Sequence, residues 1–116
     1  PTFMGNALAC SAALASIHVF ETERYMEKIA RIAAVIKREM EGFADPRIRE
    51  VRMMGGCVCI EVNEPETLAG YQEFARARGV FARPFLKYLY AMPPYIIGEE
   101  ELLQILNTMK AWFWRR

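Results

Sequence analysis

A chain of 116 residues is long enough for one ordinary domain and too short for two. With 53% hydrophobic and 25% charged residues it has the composition of a globular protein slightly rich in apolar side chains, and a net charge of +1 lacks the concentrated basic field that nucleic acid requires. Its three cysteines cannot close a disulfide set and lack zinc-ligand spacing, so no metal is expected and a reducing, cytoplasmic setting fits; no apolar run reaches the roughly 20 residues of a membrane span.

The chain opens on Pro1-Thr2-Phe3-Met4-Gly5-Asn6, without a methionine or a leader, and reads as the middle of a longer sequence. Thr2 to Asn6 is a turn, with Gly5 for backbone freedom and Asn6 as a helix N-cap. A helix over 7–20 follows, crowded with alanine and serine, whose small side chains permit close approach of a neighbour. Leu8, Leu14, Ile17 and Phe20 supply its bulk, and His18, with no partner motif, reads as structural. After a turn near Glu21-Thr22, the spacing of Tyr25, Ile29, Ile32, Ile36 and Met40 predicts an amphipathic helix over 23–42. Its opposite face is expected to be solvated, with Glu27 and Arg31 as an i,i+4 pair.

Residues 50–54 and 57–62 read as strands separated by Gly55-Gly56. In the second, Val58, Ile60 and Val62 face one way and Cys57, Cys59 and Glu61 the other, the alternation of a half-buried strand. Cys57 and Cys59 read as small buried hydrophobes rather than a redox or metal pair. A helix is predicted over 67–78, with Leu68, Tyr71, Phe74 and Ala75 inward and Gly79 as its stop. Short strands follow at 80–83, ended by Pro84, and at 88–92, ended by Pro93-Pro94. The last helix begins near Glu99, where three glutamates suit the positive end of its dipole. It turns Leu102, Leu103, Leu106, Met109 and Phe113 inward. The order α-α-β-β-α-β-β-α indicates a single α+β domain over 1–116, a small mostly antiparallel sheet covered by helices. A domain of this size buries roughly two-thirds of its unfolded surface, so the apolar excess points to a face covered by another domain or subunit.

The residues contain no Ser-His-Asp set, no Gly-rich nucleotide loop and no convincing nucleophile. Two features remain. Thr2 with Gly5 and Asn6 at a helix start either forms an anion site or merely caps the helix. Arg83 is held on stiff backbone by Pro84 and set among Phe81, Phe85, Tyr88 and Tyr90. It is either a receptor gripping a carboxylate through two parallel hydrogen bonds or a structural partner of a glutamate such as Glu61. Lys87 nearby reads as a solvated loop lysine.

The opening Pro1-Thr2-Phe3-Met4-Gly5-Asn6-Ala7-Leu8-Ala9-Cys10, followed by Gly79-Val80, Arg83-Pro84-Phe85 and Tyr90-Ala91-Met92-Pro93-Pro94-Tyr95, resembles the C-terminal part of the class III aminotransferases. The first motif is shared by many of them. Arg-Pro-Phe and Met-Pro-Pro-Tyr are more specific to the branch of biotin biosynthesis that makes 7,8-diaminopelargonate. The resemblance covers essentially the whole chain. It implies the small C-terminal domain of a fold type I, pyridoxal-phosphate-dependent homodimer. That enzyme moves the amino group of S-adenosylmethionine to 7-keto-8-aminopelargonate.

By the same resemblance Thr2, with Pro1 beside it, contacts the cofactor phosphate of the neighbouring subunit. Arg83 holds the carboxylate of the oxo-acid, and Phe85 is a pocket wall. Two positions depart from the pattern: Ala7 stands where proline is usual, and Leu86 where glycine is common. The Schiff-base lysine and the acidic partner of the pyridine nitrogen lie upstream in such enzymes. None of Lys28, Lys37, Lys87 and Lys110 has a matching context, so these 116 residues alone are expected to be inactive. The alternatives are a class III enzyme acting on an ω-amino acid or amine, and a non-enzymatic α+β binding or oligomerisation module.

Overall fold

The structure is a computed structural model and describes residues 4–115. Pro1, Thr2 and the Pro-Thr-Phe motif lie outside the described residues. The first helix, α1, spans Ala7–Thr22; Gly5 turns into it at φ +68°, and the Asn6 side chain accepts a 2.9 Å hydrogen bond from the Ala9 N–H, the predicted N-cap. Arg24, in the left-handed region at φ +53°, separates α1 from α2 (Tyr25–Met40). Of α2's apolar stripe, Ile32, Val35, Ile36 and Met40 are buried. Its charged face is less free than the periodicity implies. Glu27 pairs with Arg24 rather than Arg31, Arg31 donates to the Ile97 carbonyl at 2.8 Å, and Arg38 reaches Glu99 at 2.9 Å. These last two contacts tie α2 to the approach of the final helix.

Strand β1 (Ile48–Met54) and β2 (Cys57–Val62) form a hairpin around Gly55-Gly56, and β3 (Tyr88–Ala91) pairs antiparallel with the other edge of β2. Val51, Ile60 and Leu89 lie in one cross-strand row on the inner face, while Arg52, Cys59 and Tyr90, and beside them Glu50, Glu61 and Tyr88, lie on the outer face. The inner face is sealed. Val58, Ile60, Val62 and Leu89 join Ile32 and Ile36 of α2 and Leu102, Leu106 and Met109 of α4 (Glu99–Trp114) in one core. Each such side chain contributes roughly 1.5–3 kcal/mol of apolar burial.

The structure departs from the predicted order in two places. The helix expected over 67–78 is split into a 3-10 turn, Pro65–Leu68, and a short α3, Tyr71–Arg76. Gly70, at φ +83°, breaks the run because a left-handed residue cannot continue a right-handed helix. The stop is as expected: Gly79 sits at φ +72° and the Val80 N–H bonds back to the Ala75 carbonyl at 3.0 Å, closing a Schellman motif. The strand expected over 80–83 does not form, leaving three strands among the described residues. Pro84 lacks an N–H, and the chain turns at once through an isolated Phe85–Tyr88 bridge, so 80–83 runs unpaired. The α+β class and the antiparallel sheet stand, and the strand expected over 88–92 forms as β3; only the strand expected over 80–83 is absent.

The radius of gyration is 17.0 Å, against about 13 Å for a compact chain of this length. The excess has a local cause: α1 buries no residue. No helix among the described residues is long and apolar enough to cross a membrane.

Candidate substrate-binding site

Arg83 reaches its position through a short, over-determined piece of backbone. Pro84 fixes one φ, and Phe85 and Tyr88 then exchange two backbone hydrogen bonds, each 2.9 Å, around the two-residue turn Leu86-Lys87. Leu86 sits at φ +51°, a conformation that costs a side-chain-bearing residue roughly 1–2 kcal/mol. It is held there because the turn is fastened to the sheet on both sides: Tyr88 starts β3, and the Lys87 carbonyl accepts from the Val62 N–H at 2.9 Å.

This turn places Arg83, exposed, between two adjoining clefts. One, about 400 Å³, is formed with Pro84, Phe85, Leu86 and Tyr90; the other, about 360 Å³, with Phe81, Tyr90 and Ile105 among its walls. The structure thus brings Arg83 and Phe85 together, as the sequence implied, and adds Leu86 and Tyr90, which share their cleft. Phe85 is 63% exposed and Phe81 87%. These exposed rings give the clefts beside Arg83 apolar walls.

Arg83 is also uncommitted among the described residues. Arg24, Arg38, Arg47, Arg49, Arg52 and Arg76 form ion pairs. Arg31 and Arg78 donate to main-chain carbonyls, and Arg115 lies over the Trp112 ring. Glu61, the glutamate named as a partner for Arg83, is taken. It is 5% exposed on the central strand and is gripped by Lys87 at 2.7 Å, Arg52 at 3.1 Å and Arg49 at 3.6 Å. The hydrogen bond from Lys87, with the nearby guanidinium charges, holds the Glu61 carboxyl below the usual carboxylate range. The structural-partner reading of Arg83 is therefore not realised with Glu61, and Lys87 is an ion-pair partner rather than a solvated lysine.

Sequence reasoning missed a larger, mostly apolar cleft. About 790 Å³ opens between α2 and the β1–β2 turn, walled by Ile29, Met54, Cys57, Met92 and Tyr95. The signal was present in two bare glycines facing a Met-Pro-Pro-Tyr corner, which leave room that no side chain fills. Burial pushes the Cys57 thiol up, with a further contribution from Cys59, so it stays protonated. Both cysteines are half-buried on the sheet rather than fully buried as expected. His18 lies exposed on α1.

The described residues do not by themselves form a site for pyridoxal phosphate. Such a site needs a free lysine facing an acidic group across an aromatic-sized cavity. Lys28 is paired with Glu23, Lys87 with Glu61 and Lys110 with Glu39, while Lys37 borders a shallow cleft with Ala33, Met53 and Met54. None stands in the clefts around Arg83, and no cluster suited to a metal ion occurs among the described residues. What the arrangement can do chemically is bind: an uncommitted guanidinium with aromatic walls is suited to a carboxylate.

The family described as aminotransferase class III matches residues 1–113. Among curated relatives, the adenosylmethionine-8-amino-7-oxononanoate aminotransferase of Corynebacterium glutamicum is 34% identical over 96% of this chain and 26% of its own length. That of Mycobacterium leprae is 36% identical over 94% of this chain and 25% of its own. The acetylornithine aminotransferase of Methanosarcina mazei is 31% identical over 94% of this chain and 27% of its own. The chain thus spans about a quarter of the length of these relatives. Among solved structures, the adenosylmethionine-8-amino-7-oxononanoate aminotransferase of Methanocaldococcus jannaschii superposes with a TM-score of 0.78 at 27% identity, covering 97% of this chain and 28% of that one.

Proposed function

The chain belongs to the class III aminotransferases, and from that premise we propose that it is the C-terminal, acceptor-binding domain of a pyridoxal-phosphate enzyme of biotin biosynthesis. The complete enzyme would move the amino group of S-adenosylmethionine to 7-keto-8-aminopelargonate, giving 7,8-diaminopelargonate. The observation that carries this reading is Arg83: it is uncommitted among the described residues and stands between two clefts beside Phe85 and Tyr90. Its guanidinium receives the carboxylate of the oxo-acid, and Phe85 flanks the chain behind that carboxylate. A bidentate grip fixes direction as well as affinity, so the far end of the acceptor is held in one register for reaction. The bond-making steps belong to a cofactor whose lysine lies outside this chain, and 116 residues alone are inactive.

Thr2, with Pro1, is proposed to contact the cofactor phosphate across a homodimer interface. Its hydroxyl is the right residue chemistry for an anion, and in the sequence it precedes the start of α1. A cytoplasmic, soluble enzyme fits three free cysteines and small-molecule substrates.

A second reading, a class III enzyme acting on another amino acid or amine, is favoured by the 31% identity to an acetylornithine aminotransferase. Assaying the complete enzyme with S-adenosylmethionine as donor separates the two: turnover of the oxo-acid is expected, and its absence with activity on another donor–acceptor pair selects the second. A non-enzymatic module has family membership against it.

A further inference from the structure

The turn that carries Arg83 is fastened at one point more than a hairpin requires. Backbone bonds between Phe85 and Tyr88 already close it, yet Lys87 reaches back to Glu61 with Nζ 2.7 Å from Oε1. Glu61 lies opposite Tyr88 in the ladder and is braced from the other strand by Arg52 and Arg49. The fastening falls beside Leu86, whose φ of +51° would relax if the turn were free to open. Arg83 is joined to this turn through Pro84, whose ring fixes one of the intervening torsions, so a shift of the turn moves the backbone that carries the guanidinium.

We propose that Glu61 and Lys87 are positioning residues: their ion pair clamps the Leu86-Lys87 turn against β2 and so sets where the Arg83 guanidinium meets the acceptor's carboxylate. The inference rests on the reading of Arg83 as carboxylate receptor. It assigns no substrate contact to either residue. A buried carboxylate surrounded by three cations has a role here beyond balancing charge: with Arg49 and Arg52 engaged on one side, it presents a fixed point to Lys87 on the other.

The test uses the complete aminotransferase and compares kcat/KM for the oxo-acid with kcat/KM for its methyl ester, which lacks the charge Arg83 recognises. Lys87→Met, which keeps the aliphatic stem of a half-buried side chain, should reduce the acid-over-ester preference about tenfold or more, since displacement of a binding group by an ångström has effects of that order. Ester turnover should change little, and the melting temperature should fall only as far as loss of one of Glu61's three cations implies. Lys87→Arg, which can remake the pair, should stay within about threefold of the parent preference. Glu61→Gln should act in the same direction as Lys87→Met.

Equal losses on acid and ester, or no loss on either, would overturn the inference by making the pair merely structural or idle. A tighter grip on the acid in Glu61→Gln would also overturn it, because a freed Lys87 would then be the contact. Arg83→Ala separates the two levels. If it leaves the preference intact, the receptor reading falls and this inference with it. If it erases the preference while Lys87→Met does not, only the positioning role fails.

Discussion

Helices α1 and α2 are each 16 residues long and adjacent in the chain, yet α2 buries Ile32, Val35, Ile36 and Met40 while α1 buries nothing. The reason is arrangement rather than apolar content. The apolar residues of α2 fall on one stripe backed by Lys and Arg, so one packed neighbour satisfies it. Those of α1 are distributed: Leu8, Leu14, Ile17 and Val19 all stand exposed, Leu8 at 80%, with alanine and serine between them. A helix that is apolar on several sides is built to be surrounded. The same contrast divides the sheet, whose inner face is sealed while the Arg83 side displays Phe81, Phe85, Leu86 and Met92 to solvent. One half of the domain is finished within the chain. The other half leaves apolar side chains uncovered within this chain, which the proposed complete enzyme would cover with substrate, domain or subunit.

This contrast can be broken most sharply in the finished half. Leu106, fully buried between α4 and the sheet, should cost about 2–5 kcal/mol on Leu106→Ala, read from urea unfolding of the chain. A cost below about 1 kcal/mol would mean that the core is not closed. Acid should act next. The fold holds the carboxyls of Glu61, Glu39 and Asp45 low through hydrogen bonds from Lys87, Lys110 and Arg47 respectively. A folded pKa below the unfolded one contributes stability above the ordinary carboxylate range, and that contribution disappears as pH falls through the lowered values, from about 4 downward. Glu61→Gln should flatten part of that fall, and an unchanged acid limb would contradict the charge assignment.

Smaller effects are expected in the unfinished half. Leu86→Gly removes a left-handed leucine and should raise the urea midpoint by about 1 kcal/mol of stability. A loss would mean that the exposed Leu86 side chain packs on something the chain itself provides. Leu8→Ser on α1 should change the stability of this chain by no more than about 0.5 kcal/mol. The same change in the complete enzyme should be clearly destabilising if α1 is covered there.

What was legible in the sequence follows the same division. The α2 stripe and the alternation of Val58, Ile60 and Val62 are period signals, and burial obeys them. The Asn6 cap and the Gly79 stop are local chemistry, readable wherever a residue's own backbone preference decides. Glycine at position 70 was visible, but its effect was not, because a glycine inside a helical pattern does not announce a left-handed φ. The partners of Glu61 depend on register across three strands, which no single stretch encodes; this is why Lys87 read as a loop cation. The 790 Å³ cleft beside Tyr95 arises where α2 and the β1–β2 turn meet, a juxtaposition set by tertiary packing alone. Arg83 itself was legible as a stiff cation among aromatics; the structure adds that, among the described residues, its candidate partner Glu61 is already engaged.

The central claim, that this uncommitted arginine is the receptor for the acceptor's carboxylate, is tested most directly by titrating the oxo-acid into the complete Arg83→Ala enzyme while following the cofactor's visible absorbance. The account predicts oxo-acid binding weakened on the order of 30- to 1,000-fold, as expected for removing one member of a desolvated charge pair, with the absorbance unchanged. Loss of the cofactor's absorbance with oxo-acid affinity intact would contradict it.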